Sequence, residues 1–349
     1  MVEIGTRPPA PDAPRAPEGR PPGRTAAPDG VTAVDGLDER LAEHRRELHV
    51  HCYRMLGSFD EAEDLVQETL LRAWRRRDTL RDGDGLRAWL YRIATNACLD
   101  HLRAHPRRPE PRPAPAAADP GLDPPSSGAV PWLQPYPDTL LDAADTVIER
   151  ETIELAFLVA IQHLPPRQRA VLILRDVLGW PAQEAAEALD LTVAAVKSAL
   201  QRARPTLRRH LPARRLEWAP SAEPTARERA VLRRYIDAIE HADPAVLLEV
   251  LREDVLQTMP PRPIWLLGRE TFVAAWTPAM IGPEAWGDWR VLPVRANRQP
   301  AAAAYLRRAG DPDFRPSWLG VLRIEDGLVT QVTTYGNEVF DRFGLPPAL

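Results

Sequence analysis

"LPPRQRAVLILRDVLGWPAQEAAEALDLTVAAVKSALQRAR" occupies residues 164–204, and its punctuation decides how the chain is read. Pro165 and Pro166 open a helix, where the missing proline N–H costs nothing, and Gly179 follows its end. "PAQEAAEALD" (181–190) then gives a short helix, "LT" (191–192) a turn, and "VAAVKSALQRAR" (193–204) a basic helix. Two short helices joined by such a turn have the form of a helix-turn-helix. Thr192 is placed to cap the last helix, and Val193, Val196, Leu200 and Ala203 recur at the spacing of one inward face. The outward face is left with Ala194, Ala195, Lys197, Ser198, Gln201 and Arg202. Small residues at the leading end let a helix enter a major groove, and the Ser, Gln, Lys and Arg behind them reach base edges and phosphates. The same face would also suit a solvated helix pair with no DNA. Pro205 predicts an end or a kink near Arg204, because proline removes a hydrogen bond inside a helix.

Working outward, "TIELAFLVAIQHL" (152–164) is a further helix, so 146–215 reads as one helical unit. A second lies upstream at 38–104. In "DEAEDLVQETLLRAW" (60–74), Ala62, Leu65, Val66, Thr69, Leu70, Ala73 and Trp74 fall at helical intervals, with Asp60 as the expected cap. "LRAWLYRIATNACLDHLR" (86–103) follows the loop 78–85 and turns Leu86, Leu90, Ile93, Ala94, Ala97 and Leu102 inward. It also gathers Trp89, Tyr91, Arg92, Asn96 and Arg103, a mixture of π faces and guanidinium groups that suits unstacked single-stranded DNA. Each aromatic, Trp89 foremost, would equally serve as packing.

Proline divides the chain. Residues 1–37 are proline-rich and short of periodic apolar residues, so a disordered tail is expected. Residues 105–145 form a linker whose first part, 105–137, holds eleven prolines, and a short break at 216–224 precedes a third unit. The linker carries "PWLQPYPDTLLD" (131–142), more aromatic than a mere tether needs. In the third unit, 225–349, "ARERAVLRRYIDAIEHAD" is helical and four strand-like runs follow, the last two forming a hairpin at Glu325-Asp326-Gly327. Helices first and an antiparallel meander afterwards indicate an α+β domain.

The net charge of −4 argues against a nucleic-acid binder until it is located. Residues 191–215 hold seven Lys and Arg and no acid, whereas Asp138–Glu154 hold six acids and one arginine. No stretch has the ~18–20 apolar residues of a membrane span, and no secretory signal precedes the first unit, so a cytoplasmic location without membrane contact is expected. Two cysteines, Cys52 and Cys98, make neither a disulfide framework nor a metal site, and no cofactor is expected.

The two helical units together resemble the sigma-70 family, in its extracytoplasmic-function (ECF) group. "FDEAEDLVQETLLRAWRR" is similar to region 2.2, "LRAWLYRIATNACLDHLR" to regions 2.3 and 2.4, and residues 164–204 to region 4. The resemblance implies two all-α domains, a region 2 bundle and a region 4 helix-turn-helix. It implies core RNA polymerase and promoter DNA as partners. Asp64, Gln67 and Glu68 would then face the polymerase. Arg92, Asn96 and the loop 78–85 would lie near an extruded −10 base, and Lys197, Ser198, Gln201 and Arg202 would face the −35 groove. The third unit resembles the cone-shaped SnoaL-like domain fused to some ECF factors, implying an autoregulatory role.

Two other readings stay open. One is a conventional repressor or activator, which would have no use for the region 2-like block. The other is a small-molecule-binding or enzymatic SnoaL-like domain controlling a DNA-binding regulator, with His241, Asp254, Trp265, Asp288 and Trp318 as candidate pocket residues. No paired carboxylates or nucleophile–base spacing make a reaction specific, so no enzyme is expected.

Overall fold

The computed structural model describes residues 37–80, 85–109, 115–119, 122, 129–141, 153–211 and 224–349. The expected N-terminal tail, the middle of the loop 78–85, the acidic run Asp142–Glu151, Arg214 and Arg215, and most of the break before the third unit lie outside the described residues. Helix α1 (Leu37–Glu43) is the first described element, and the unit described below runs from Glu43 to Leu349.

This unit opens with a bundle of α2 (Arg45–Leu56), α3 (Phe59–Arg75) and α4 (Leu86–Ala104). Every residue of α2 from Glu47 to Leu56 is buried, which makes it the central rod. All six inward positions expected of α4 are buried. The cap of α3 is not Asp60 but Ser58, whose Oγ accepts from the Glu61 N–H at 3.3 Å. Ser58 has the extended backbone that aims a side chain over the first turn, whereas Asp60 already lies within that turn.

Next come α5 (Leu155–Gln162) and α6 (Pro166–Leu172), the latter continuing as a wider π turn to Val177. Then α7 (Ala182–Leu189) and α8 (Val193–His210) complete the helix-turn-helix. Asp190, in the left-handed region at φ 53°, ends α7, and Thr192 Oγ accepts from the Ala195 N–H at 3.1 Å to start α8. Pro205 does not end α8 as expected; the helix runs on to His210. Both Pro205 and Gln201 are exposed, so the Gln201 carbonyl that loses its partner one turn back lies on a wet face.

The α+β part begins with α9 (Ala226–Glu240), held by a Thr225–Glu228 capping box, and α10 (Pro244–Val250), capped by Asp243. The sheet consists of β1 (Ala117–Ala118), β2 (Leu251–Thr258), β3 (Trp265–Leu267), β4 (Asp288–Ala296), β5 (Gln299–Arg307), β6 (Arg315–Glu325) and β7 (Leu328–Gly336). Its order is β1-β3-β2-β7-β6-β5-β4, with α11 (Arg269–Met280) between β3 and β4. Leu232, Ile236, Val255, Phe272, Leu322 and Val332 join the helices to one face of this sheet, the α+β cone expected of the third unit. The β6–β7 turn falls at Asp326-Gly327, both at positive φ, as the hairpin pattern predicted.

One strand comes from the linker. β1 pairs parallel with β3, and Asp119 Oδ1 accepts from the Thr271 N–H at 2.8 Å at the start of α11. Gly268 allows this approach twice over. Its φ of 98° disfavours a side chain, and a Cβ there would strike the Asp119 carboxylate.

Candidate functional site

Helix α8 carries the expected DNA face. Ala194, Lys197, Gln201 and Arg202 are exposed, and Ser198 is half-buried, its Oγ accepting from Arg202 Nη1 at 2.7 Å. Val196, Ala199, Leu200, Ala203 and Leu207 fill the opposite side. Arg204 is held off this face by two 2.9 Å bonds to the Asp176 carboxylate.

The residues expected on α4 divide. Arg92, Asn96 and Arg103 are exposed, with Arg103 bonded to Asp100 at 2.9 Å. Trp89 and Tyr91 are buried. Tyr91 donates to Glu47 Oε2 at 3.0 Å and packs its ring 5.6 Å from that of Trp180, just ahead of α7. In this arrangement both aromatics serve as packing. On α3, Asp64 and Gln67 are exposed and Glu68, half-buried, accepts from Arg72 at 2.7 Å.

The two helical groups lie against each other. Arg169 of α6 reaches across to the Met55 carbonyl of α2, and also donates to Gln162 Oε1 at 2.6 Å and to the carbonyls of Gln162 and Leu164. Burial pushes this guanidinium down to about 9, still charged at neutral pH. A buried charge needs such a set of acceptors, because an unpaired one is expensive.

Sequence reasoning missed the residue where all parts meet. Asn297 opens the two-residue turn between β4 and β5 and is fully buried. Its N–H donates to the Tyr136 carbonyl at 2.9 Å, and its Oδ1 accepts from the Tyr136 N–H at 2.8 Å. Its Nδ2 donates to Tyr53 Oη at 2.8 Å and to the Ile153 carbonyl at 2.7 Å. One amide thus touches α2, the linker and the approach to α5. Beside it, Gln299 Oε1 accepts from the Leu155 N–H at 3.0 Å, and Asp138 Oδ1 accepts from the Arg298 N–H at 2.7 Å. Burial raises the Asp138 carboxyl above its ordinary value, opposed by that N–H and by Arg295 3.1 Å away.

The linker segment 131–138 is therefore a docked element. Tyr136 is buried between His49, Tyr53 and Phe59, and Gln134 Oε1 accepts from the Asp60 N–H at 3.0 Å at the head of α3. Arg342, near the end of the chain, grips the Asp60 carboxylate at 2.9 and 3.1 Å. The available signal was "ANR" between two strand runs, an asparagine suited to left-handed backbone. Asn297 and Arg298 have φ of 56° and 57°.

Inside the cone is a cavity of about 50 Å³, bordered by Tyr235, Gln257, Trp276, Trp289, Trp318 and Thr334 among others. Of the five candidate pocket residues only Trp318 borders it. His241, Asp254 and Asp288 are exposed, the last two paired with Arg252 and Arg307, and Trp265 is buried in β3 away from the cavity wall. These three polar groups sit at a helix end or on strand faces turned to water. No ionisable Asp, Glu, His, Lys or Arg lines the cavity among the described residues.

Residues 41–108 match the profile of Sigma-70 region 2, and residues 154–207 that of Sigma-70, region 4. The chain is 42% identical over 321 residues to "ECF RNA polymerase sigma factor SigG" of Mycobacterium tuberculosis, covering 88% of this chain and 83% of that one. It is 29% identical over 304 residues to "Probable ECF RNA polymerase sigma factor SigI" of the same organism, covering 85% and 92%. The crystal structure of M. tuberculosis extracytoplasmic function sigma factor SigJ shares the fold, with a TM-score of 0.57 at 22% identity over 89% of this chain and 99% of that one. No helix among the described residues is long and apolar enough to cross a membrane. With region 2 and region 4 both present and SigG aligned over most of both chains, this chain belongs to the ECF RNA polymerase sigma factors, which direct transcription initiation.

Proposed function

We propose that the chain binds core RNA polymerase and promoter DNA in the cytoplasm and is regulated by its own SnoaL-like domain, which acts by binding rather than by chemistry. In this reading Asp64, Gln67 and Glu68 of α3 meet the polymerase. Arg92, Asn96 and Arg103 of α4 meet the −10 strand, and Ala194, Lys197, Ser198, Gln201 and Arg202 of α8 enter the −35 groove. The working boundaries are 38–104 for region 2, 146–215 for region 4 and 225–349 for the cone. Trp89 and Tyr91 keep their packing role until region 4 moves away.

Movement is required by length. Elements centred 25 base pairs apart are separated by roughly 85 Å along the duplex at about 3.4 Å per step. Tyr91 and Trp180, by contrast, are in ring contact. The closed arrangement cannot span both elements, so polymerase must open it. Asn297 is the observation that carries regulation, because its amide joins region 2, the linker and the residue leading into region 4. Each of these bonds stabilises the closed arrangement and so opposes opening. A small molecule in the cone cavity would act on the same equilibrium.

The test is promoter-dependent transcription with core polymerase, comparing the full chain with one ending at residue 215. The reading expects different activities at limiting polymerase. Equal activity at every polymerase concentration would remove the regulatory role.

A further inference from the structure

The cone cavity differs from an ordinary packing defect in what its wall leaves unsatisfied. Gln257 is buried at the centre of a short relay, with its Oε1 accepting from the Trp276 indole N–H at 2.7 Å and its Nε2 donating to Thr334 Oγ at 3.1 Å. Those groups are already partnered. Trp289, more than nine-tenths buried in the same wall, is different: its indole N–H has no acceptor among the described residues. A buried donor without a partner costs free energy that an incoming acceptor would recover.

The rest of the wall decides what carries that acceptor. Trp289 lies 6.3 Å from the ring of Trp318 and 6.2 Å from that of Trp286, which in turn stands 6.3 Å from Trp276. Trp286, 47% exposed, packs on these rings from outside the cavity lining. With no acid or base in the lining, a charged ligand would be desolvated without compensation. Burial raises the Tyr235 phenol, keeping that group neutral as well. A cavity of about 50 Å³ is small and restricts an occupant to about one small ring.

We infer that the cavity binds a small, neutral, ring-containing molecule with one carbonyl-type oxygen, which accepts a hydrogen bond from Trp289 Nε1. This rests on the reading of the cone as a binding domain and names the ligand chemistry that reading leaves open.

Cyclopentanone and methylenecyclopentane are suitable probes, since they share a shape and only the ketone has the acceptor. Each is titrated into the full chain, wild type and Trp289→Phe, by nuclear magnetic resonance of the tryptophan indole N–H groups. In the wild type the ketone is expected to move one indole N–H downfield, and this resonance is missing from Trp289→Phe. The substitution is expected to weaken the ketone about three- to tenfold more than the alkene, the size of one recovered hydrogen bond. An unchanged ratio, absence of the downfield shift in the wild type, or tighter binding of cyclopentylammonium would overturn the proposal. The wild-type shift reads the contact even if the variant folds poorly. Failure of the regulatory reading is seen separately, as ketone binding through Trp289 with no effect on transcription.

Discussion

Asn297 and Tyr136 exchange a reciprocal pair of hydrogen bonds, N–H to carbonyl at 2.9 Å in one direction and backbone N–H to side-chain Oδ1 at 2.8 Å in the other. The pair fixes a linker tyrosine to a hairpin tip 161 residues later in the chain. Asn297→Ala keeps the backbone bond but orphans the Tyr136 N–H and the Ile153 carbonyl, and removes a donor from Tyr53. Leaving buried polar groups unpaired costs about 1–3 kcal/mol each, so with partial relaxation a loss of about 2–4 kcal/mol is expected. Urea unfolding of the two chains checks it, and a loss below about 1 kcal/mol would mean that water replaces the amide.

Two buried histidines on α2 predict acid sensitivity. Burial pushes His49 down to about 4, despite Glu63 at 3.5 Å, and His51 down to about 3. His51 Nε2 donates to Thr95 Oγ at 2.8 Å, because Thr95 spends its own proton on the Tyr91 carbonyl. Both rings are neutral in the fold, whereas an unfolded histidine protonates near 6.5. Their stabilising contribution is therefore complete above pH 6.5 and declines as pH falls toward 4, by about 3 kcal/mol for each ring at pH 4. Unfolding free energies at pH 7, 5.5 and 4.5 should fall in that order, and less steeply in His51→Asn. A flat profile would show that these rings carry a proton in the native state.

Arg169 predicts a substitution that cannot be made conservatively. Arg169→Ala leaves four oxygens, on Met55, Gln162 and Leu164, without their donor, for an expected loss of about 3–5 kcal/mol. Arg169→Lys should recover little, since a point-like ammonium cannot reproduce the planar fork. Thermal unfolding that ranked lysine level with arginine would contradict this assignment.

On α8, Lys197→Ala and Arg202→Ala should each weaken binding of holoenzyme to −35 duplex. Each should also reduce the slope of log affinity against log salt by about 1 if it meets a phosphate. Gln201→Ala should instead relax base preference with the slope kept, as a group reading a base edge would. Equal slopes for all variants would remove α8 from the interface.

Much of this was legible from local pattern. The inward stripe of α4, the Thr192 cap, the prolines opening α6 and the Asp326-Gly327 turn depend on neighbours within a few residues. The outward face of α8 followed for the same reason. Asn297 was not legible, because its three partners lie at positions 53, 136 and 153 and no periodicity connects them. The cavity lining was only partly legible for a related reason: Trp318 borders it, but Asp254 and Asp288 pair with arginines on the surface while Gln257 and Trp289 line the interior. Of the two outcomes Pro205 allowed, the helix does not end there: its penalty is reduced where the orphaned carbonyl meets water.

Run-off transcription by core polymerase, with the wild-type chain and the full-length Asn297→Ala variant across a range of polymerase concentrations, tests the regulatory account most directly. Removing bonds made in the closed arrangement should shift the population toward the open one. The account predicts several-fold more transcript from the variant at limiting polymerase, with the two converging at saturation. Superimposable curves from two folded chains would contradict it.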